Sequence, residues 1–285
     1  MKFFSTGCFR CLRQEANASG RRWLSAGIGL AAVACVVAVA TCAAFAGVGR
    51  ASVSVGGAPT EEVQLVLDTS ASVPVEYSVQ ALRAIAVVVA GWPHPVPTDG
   101  ASSGQSQLIV QVRGVSADSY GPASVFGTWK VEGIPAVEGL PSGVTPDFTQ
   151  RVIAFKREHA AAVSAYRRAV SDASRAAAQL RSLRPKTTYA SEIEGAVSAA
   201  AQSFSPSGVR RLVIVSDLAQ NRPPQIAGSL RGVSVLIAHI CSNVSTCRRQ
   251  EHTWFRTLRA RDATSVDFVR VERFPAAVAS FLGRS

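Results

Sequence analysis

Lysine is scarce in this chain: four residues of 285, so that nearly all of the 30 basic side chains are arginine. The formal net charge of +11 invites a nucleic-acid reading, but no recognition motif for DNA or RNA accompanies it. Its distribution is wrong for one as well. Residues 1–23 contribute +4 and residues 50–146 carry −4, with the remaining excess in 147–184 and 209–273. Solvated faces, or attraction to an anionic surface, account for that pattern, and no nucleic-acid partner is expected. There is no P-loop and no G-x-S-x-G, and no serine stands with an assignable histidine and acid. Nucleotide cradling and serine hydrolysis are therefore set aside. Cysteine is sparse and uneven. Cys8 and Cys11 form a lone C-x-x-C without the second pair that a structural zinc site needs.

Charge is missing altogether from Leu24 to Val48, a run of 25 residues. About 18–20 suffice to cross a bilayer. The basic segment 1–23 ahead of it predicts a cytoplasmic N-terminus and an extracytoplasmic remainder. The run ends in Ala44-Phe45-Ala46, a pattern that a signal peptidase cuts, so the expectation is a retained anchor, or a secreted domain where cleavage occurs near Ala46. Cys35 and Cys42 lie inside it. Cys241 and Cys247 are the only cysteines beyond it, and an oxidising compartment favours a local disulfide between them across the polar loop 242–246. Two unpaired thiols are the alternative.

With 47% hydrophobic residues the chain can bury a full core. Residues 49–60 read as a linker and 61–285 as one domain. Apolar runs at 63–67, 107–112, 212–215, 233–238 and 266–271 read as strands, and apolar residues at steps of three and four predict helices near 75–91, 254–261 and 275–282. Three prolines in 93–97 stop the first helix, which leaves His94 in a loop. The Gly- and Pro-rich stretch 114–145 reads as a hairpin with irregular flanks. A long helix is expected over about 146–184, with Phe148, Val152, Phe155, His159, Ala162, Tyr166, Val170, Ala173, Ala177 and Leu180 on one stripe. It is either a partner-binding arm or a surface helix with its stripe on the core. Strands alternating with helices imply an α/β fold: a doubly wound, mainly parallel sheet with helices on both faces.

The chemistry concentrates at strand ends. Val63-Gln64-Leu65-Val66-Leu67 runs directly into Asp68-Thr69-Ser70-Ala71-Ser72, which gathers a carboxylate and two hydroxyls at alternate positions. Arg210-Arg211-Leu212-Val213-Ile214-Val215-Ser216 ends on a second acid, Asp217. Between them, Lys186-Thr187-Thr188-Tyr189-Ala190-Ser191-Glu192-Ile193 is a hydroxyl-rich loop that enters a helix. Oxygen donors of this kind suit hard divalent cations. In an open α/β sheet, ligands collect outside the carboxyl ends of the strands, where all three segments would converge.

The arrangement resembles the von Willebrand factor A (vWA) family. Asp68, Ser70 and Ser72 match its D-x-S-x-S, and Asp217 matches its late strand-terminal acid. Ser191-Glu192-Ile193-Glu194-Gly195-Ala196-Val197 matches the middle run, with Ser191 where the family has threonine, and Thr187 or Thr188 stands as an alternative for that position. The resemblance implies a metal-ion-dependent adhesion site (MIDAS). A divalent cation (Mg²⁺ first, Mn²⁺ or Ca²⁺ otherwise) would be held by these side chains, with a coordination position left for an acidic residue of a protein partner. The competing class is a structural module of a membrane complex that carries no working metal. Catalysis is not expected. Leu67-Asp68-Thr69-Ser70 is superficially similar to the Asp-Thr-Gly of aspartic peptidases, but Ser70 replaces the glycine and no second copy is present.

Overall fold

The computed structural model describes residues 60–283 apart from 98–100, 116–118, 144–145, 190–191 and 220–223. The basic segment, the apolar run 24–48, the linker up to residue 59, Cys8, Cys11, Cys35, Cys42 and Ser191 lie outside the described residues.

The chain runs β1 (Thr60–Leu67), α1 (Val75–Ala90), β2 (Gln107–Gly114), β3 (Val125–Val131), α2 (Phe148–Ser182), α3 (Ile193–Ser203), β4 (Val209–Ser216), β5 (Val233–His239), α4 (Val244–Arg259), β6 (Ser265–Arg270) and α5 (Phe274–Leu282). The six strands form one sheet in the order β3-β2-β1-β4-β5-β6. Only β3 is antiparallel, paired with β2 around an irregularity at Val112 and Arg113; the stretch 114–145, read as a hairpin of its own, contributes among the described residues the one strand β3, whose partner is the preceding β2. No described helix is long and apolar enough to cross a membrane.

The strands are apolar because both faces are covered. Val63, Leu65 and Leu67 of β1 and Val213 and Val215 of β4 pack with α1, α2 and Phe274 of α5. Val66, Leu212 and Ile214 point the other way, against Ile193 and Val197 of α3 and Trp254 and Leu258 of α4. The alternation of the two sets is the pleat of the strand.

Helix α2 is continuous over 35 residues, a rod of about 52 Å at ~1.5 Å per residue. Ala162, Ala165, Ala169, Ala173, Ala176, Ala177 and Leu180 are its buried residues, and none of residues 148–161 is fully buried. Small side chains let the second half approach the core closely. The stripe departs from the expected one at Val170, which is 39% exposed while Ala169 is buried. Arg168 grips Glu132 with two hydrogen bonds of 2.7 and 2.9 Å, and the Trp129 indole donates to Gln179, tying the helix to the β3 side of the sheet.

Helix α4 starts ten residues before the expected 254. The segment read as a polar loop is its first turn, because Asn243 accepts from the backbone N–H groups of Ser245 and Thr246 at 3.0 and 3.2 Å. This satisfies donors that a helix start leaves open. Asn243→Ala is expected to lower stability by about 1 kcal/mol, measurable as a lower urea midpoint at unchanged slope.

Candidate metal centre

Between β1 and its neighbour β4 the order of the strands reverses: the chain goes outward to β2 and β3, then returns to fill the other side. Crevices at such a reversal, outside the carboxyl ends, are where open α/β sheets bind ligands. Asp68 and Asp217 directly follow the two strands that flank it.

Asp68 is fully buried. Its Oδ1 accepts the Ser70 N–H at 2.9 Å, and its Oδ2 accepts the Ser216 hydroxyl at 2.8 Å. Its own N–H donates to the Val215 carbonyl, so the turn is seated on the end of β4. Burial pushes this carboxyl above the usual aspartate range; hydrogen bonds from Ser70 and Ser216 pull it partly back, and the negative charge of Asp217 adds to the push. Among the described residues no cationic group acts on it. A buried carboxylate with a second acid nearby is an environment that a cation would relieve.

The two serines of the motif meet: Ser70 Oγ and Ser72 Oγ are 2.9 Å apart, one buried and one exposed. Of the middle-segment hydroxyls, Thr188 is brought to this turn. It pairs with Ser70 in an isolated parallel bridge, and its N–H donates to the Thr69 carbonyl at 2.7 Å. Its hydroxyl and that of Thr69 both donate to Val115 O at 3.1 Å, and the two oxygens are 3.4 Å apart. The Thr187 side chain is exposed.

Asp217 is half-buried and accepts the Ala219 N–H at 2.9 Å. Leu218, between them, has φ +54°, a left-handed conformation that is uncommon for a residue with a branched side chain. The Ser216 hydroxyl accepts the Leu218 N–H at 2.8 Å and holds the bend. Backbone strain of about 1–3 kcal/mol persists only where the surroundings over-determine it, and such positions cluster at functional sites. Asp217 and Ser72 line one cleft of about 510 Å³, with Tyr77, Asn243, Gln250 and Glu272 further along its walls.

Sequence reasoning missed Ser216, the residue that orients Asp68, and Thr69, which tethers Thr188. The signal for Ser216 was its place beside Asp217 at the strand end, where a hydroxyl can reach the adjacent turn. His239 was also missed. It is buried, with Nδ1 3.0 Å from Glu251 and Nε2 3.3 Å from the Asp217 carbonyl oxygen. Cys241 and Cys247 are joined as a disulfide, with Cα atoms 5.9 Å apart.

The donor set is all oxygen: two carboxylates, two serine hydroxyls and a threonine hydroxyl. It fits a hard divalent cation by chemistry and by charge.

No family model and no curated protein matches the chain. Similar solved structures include proximal thread matrix protein 1 from the mussel byssus, described with zinc in its MIDAS motif, at 9% identity and TM-score 0.34, covering 79% of this chain and 46% of that one. A manganese-loaded TRAP protein of Plasmodium vivax aligns at 10% identity and TM-score 0.33, covering 79% of this chain and 74% of that one. The human COPII-coat protein Sec24c aligns at 9% identity and TM-score 0.35, covering 79% of this chain and 32% of that one. The chain thus spans less than half the length of the first of these. At such values the strand order and the site geometry have to carry the reading.

Proposed function

We propose that the chain is a vWA-like module that binds a protein partner through a divalent cation, exported and tethered to a membrane by residues 24–48. The observation that carries this is the fully buried Asp68 carboxylate at the strand-order reversal, close enough to Asp217 to feel its charge and balanced by no protein cation among the described residues. Asp68, Ser70 and Ser72 would contact the ion directly or through water. Thr188 fits the middle hydroxyl, being the one held at this turn, and Asp217 provides the second acid from the cleft wall. When bound, the ion would offer a coordination position to an acidic side chain presented by the partner. Mg²⁺ is the first choice, because oxygen donors alone suit it. The module binds and does not catalyse.

A specific observation favours a second reading. The Ser70 and Ser72 hydroxyls already satisfy each other, and Thr188 already has the Val115 carbonyl, so the turn is stitched without an ion. On that reading the domain is an assembly module, and the exposed first half of α2 is its contact surface.

Mn²⁺ binding followed by the loss of the free-ion paramagnetic signal separates the two. One ion per chain is expected. Asp68→Ala should weaken binding about 10–100-fold, the factor corresponding to about 1.5–3 kcal/mol for a contact to a charged group. A chain that leaves all Mn²⁺ free favours the assembly module.

A further inference from the structure

His239 closes β5, Cys241 follows two residues later, and Cys247 stands in the first turn of α4. One ring nitrogen of His239 and the two sulfurs all lie within 4.8 Å of one another. Glu251, one turn beyond Cys247 on the same helix, already sets its Oε1 3.0 Å from His239 Nδ1. His239 and Cys247 are buried, at 1% and 3% exposure, while Cys241 lines the cleft and so opens the group to solvent. Two sulfurs, an imidazole and a carboxylate are a borderline-soft set, unlike the oxygens around Asp68. They suit a four-coordinate zinc ion.

We propose that this cluster is a zinc site that alternates with the disulfide. A thiol reductant gives two electrons to the Cys241–Cys247 bond and is itself oxidised to a disulfide, releasing two cysteine thiols. Zn²⁺ then binds both sulfurs as thiolates, sending their two protons to solvent, with neutral His239 as the third ligand and Glu251 as the fourth. Zinc stays divalent throughout. Oxidation by a disulfide-class oxidant removes two electrons from the thiolates, rejoins the sulfurs and expels the ion. The His239 Nε2 contact with the Asp217 carbonyl is the kind of outer partner that orients a metal-bound imidazole.

The test uses the full-length chain carrying Cys8→Ser, Cys11→Ser, Cys35→Ser and Cys42→Ser, titrated with Co²⁺ alone before and after phosphine reduction. The reduced chain is expected to bind one Co²⁺ with a thiolate charge-transfer band and the intense visible bands of a tetrahedral ion. Zn²⁺ should displace it, and the oxidised chain should show neither feature. Cys241→Ser should cut the charge-transfer band to about half or less, Cys241→Ser with Cys247→Ser should abolish it, and His239→Gln should weaken binding at least about tenfold. A reduced chain without the band overturns the proposal, as does a band that survives Cys241→Ser with Cys247→Ser. An oxygen-only site gives no sulfur charge transfer, so this proposal and the oxygen-site reading fail separately.

Discussion

Arg211→Leu is expected to cost about 3–5 kcal/mol near neutral pH, or roughly 6–20 °C in melting temperature for a domain of this size. Arg211 Nε lies 3.1 Å from Glu61 Oε1 at the start of β4 and β1, with side-chain exposures of 6% and 0%. The contact is an ion pair without hydrogen-bond alignment at the Glu61 oxygens. Burial pushes the Glu61 carboxyl up, and Arg211 partly offsets the push. Without the arginine, Glu61 must be buried charged and alone, or take a proton. The sign follows from proton binding: a carboxyl raised in the folded state binds more protons there than in the unfolded chain, so stability falls as pH rises from the ordinary glutamate value through the raised one. The deficit of Arg211→Leu should therefore shrink as pH falls through the raised value, and level off below about 4.3, where glutamate is protonated in both states. Adding Glu61→Leu should recover most of the loss at neutral pH, because replacing both partners of a buried pair by apolar groups is often neutral or better. Urea melts of the three variants at pH 4 and pH 7 check this; a single variant with no pH dependence counts against it.

Mg²⁺ at a hundred times its Kd is expected to stabilise the domain by about 2.7 kcal/mol, roughly 5–11 °C. The shift should be lost in Asp68→Asn. The asparagine keeps the shape and can still accept the Ser70 N–H, but brings no charge to the ion. The metal-free forms should differ in the opposite direction. Because burial raises Asp68, the metal-free wild-type chain loses stability as pH rises from the ordinary aspartate value through the raised one. Asp68→Asn is spared that loss and should be the more stable of the two at pH 7 when metal is absent. Protons and Mg²⁺ compete for the same carboxylate, so the wild-type metal shift should also fade on acidification through that window. Melting scans with and without a chelator across pH 4–8 read both effects. A Mg²⁺ shift that persists in Asp68→Asn would place the ion elsewhere.

The strands were legible because a sheet covered on both faces demands unbroken apolar runs, and such runs are hard to mistake when turn residues follow them. Asp68 and Asp217 were legible for the same reason, as acids at the ends of buried strands. Thr188 could not be chosen from sequence over Thr187, because the choice depends on a backbone bridge to Ser70 across 118 positions. Ser216 was hidden because it reads as the last residue of its own strand, whereas its role is set by the turn after the neighbouring one. The start of α4 carried a readable signal in Asn243, masked by a run of small polar residues that equally suits a loop. The stripe on α2 was right at Ala162, Ala173, Ala177 and Leu180, and failed at Phe148 and Val170, which are exposed.

Thr60, which opens β1, lies at the far edge of the sheet from Asp68. Arg211, near the start of β4, donates to the Phe281 carbonyl, which brings the last turn of α5 to that same edge. At ~3.3 Å per residue, the eight residues of β1 put about 26 Å between that edge and the acidic turn. The junctions at Thr60 and Leu282 therefore lie at the edge of the sheet opposite the acidic turn.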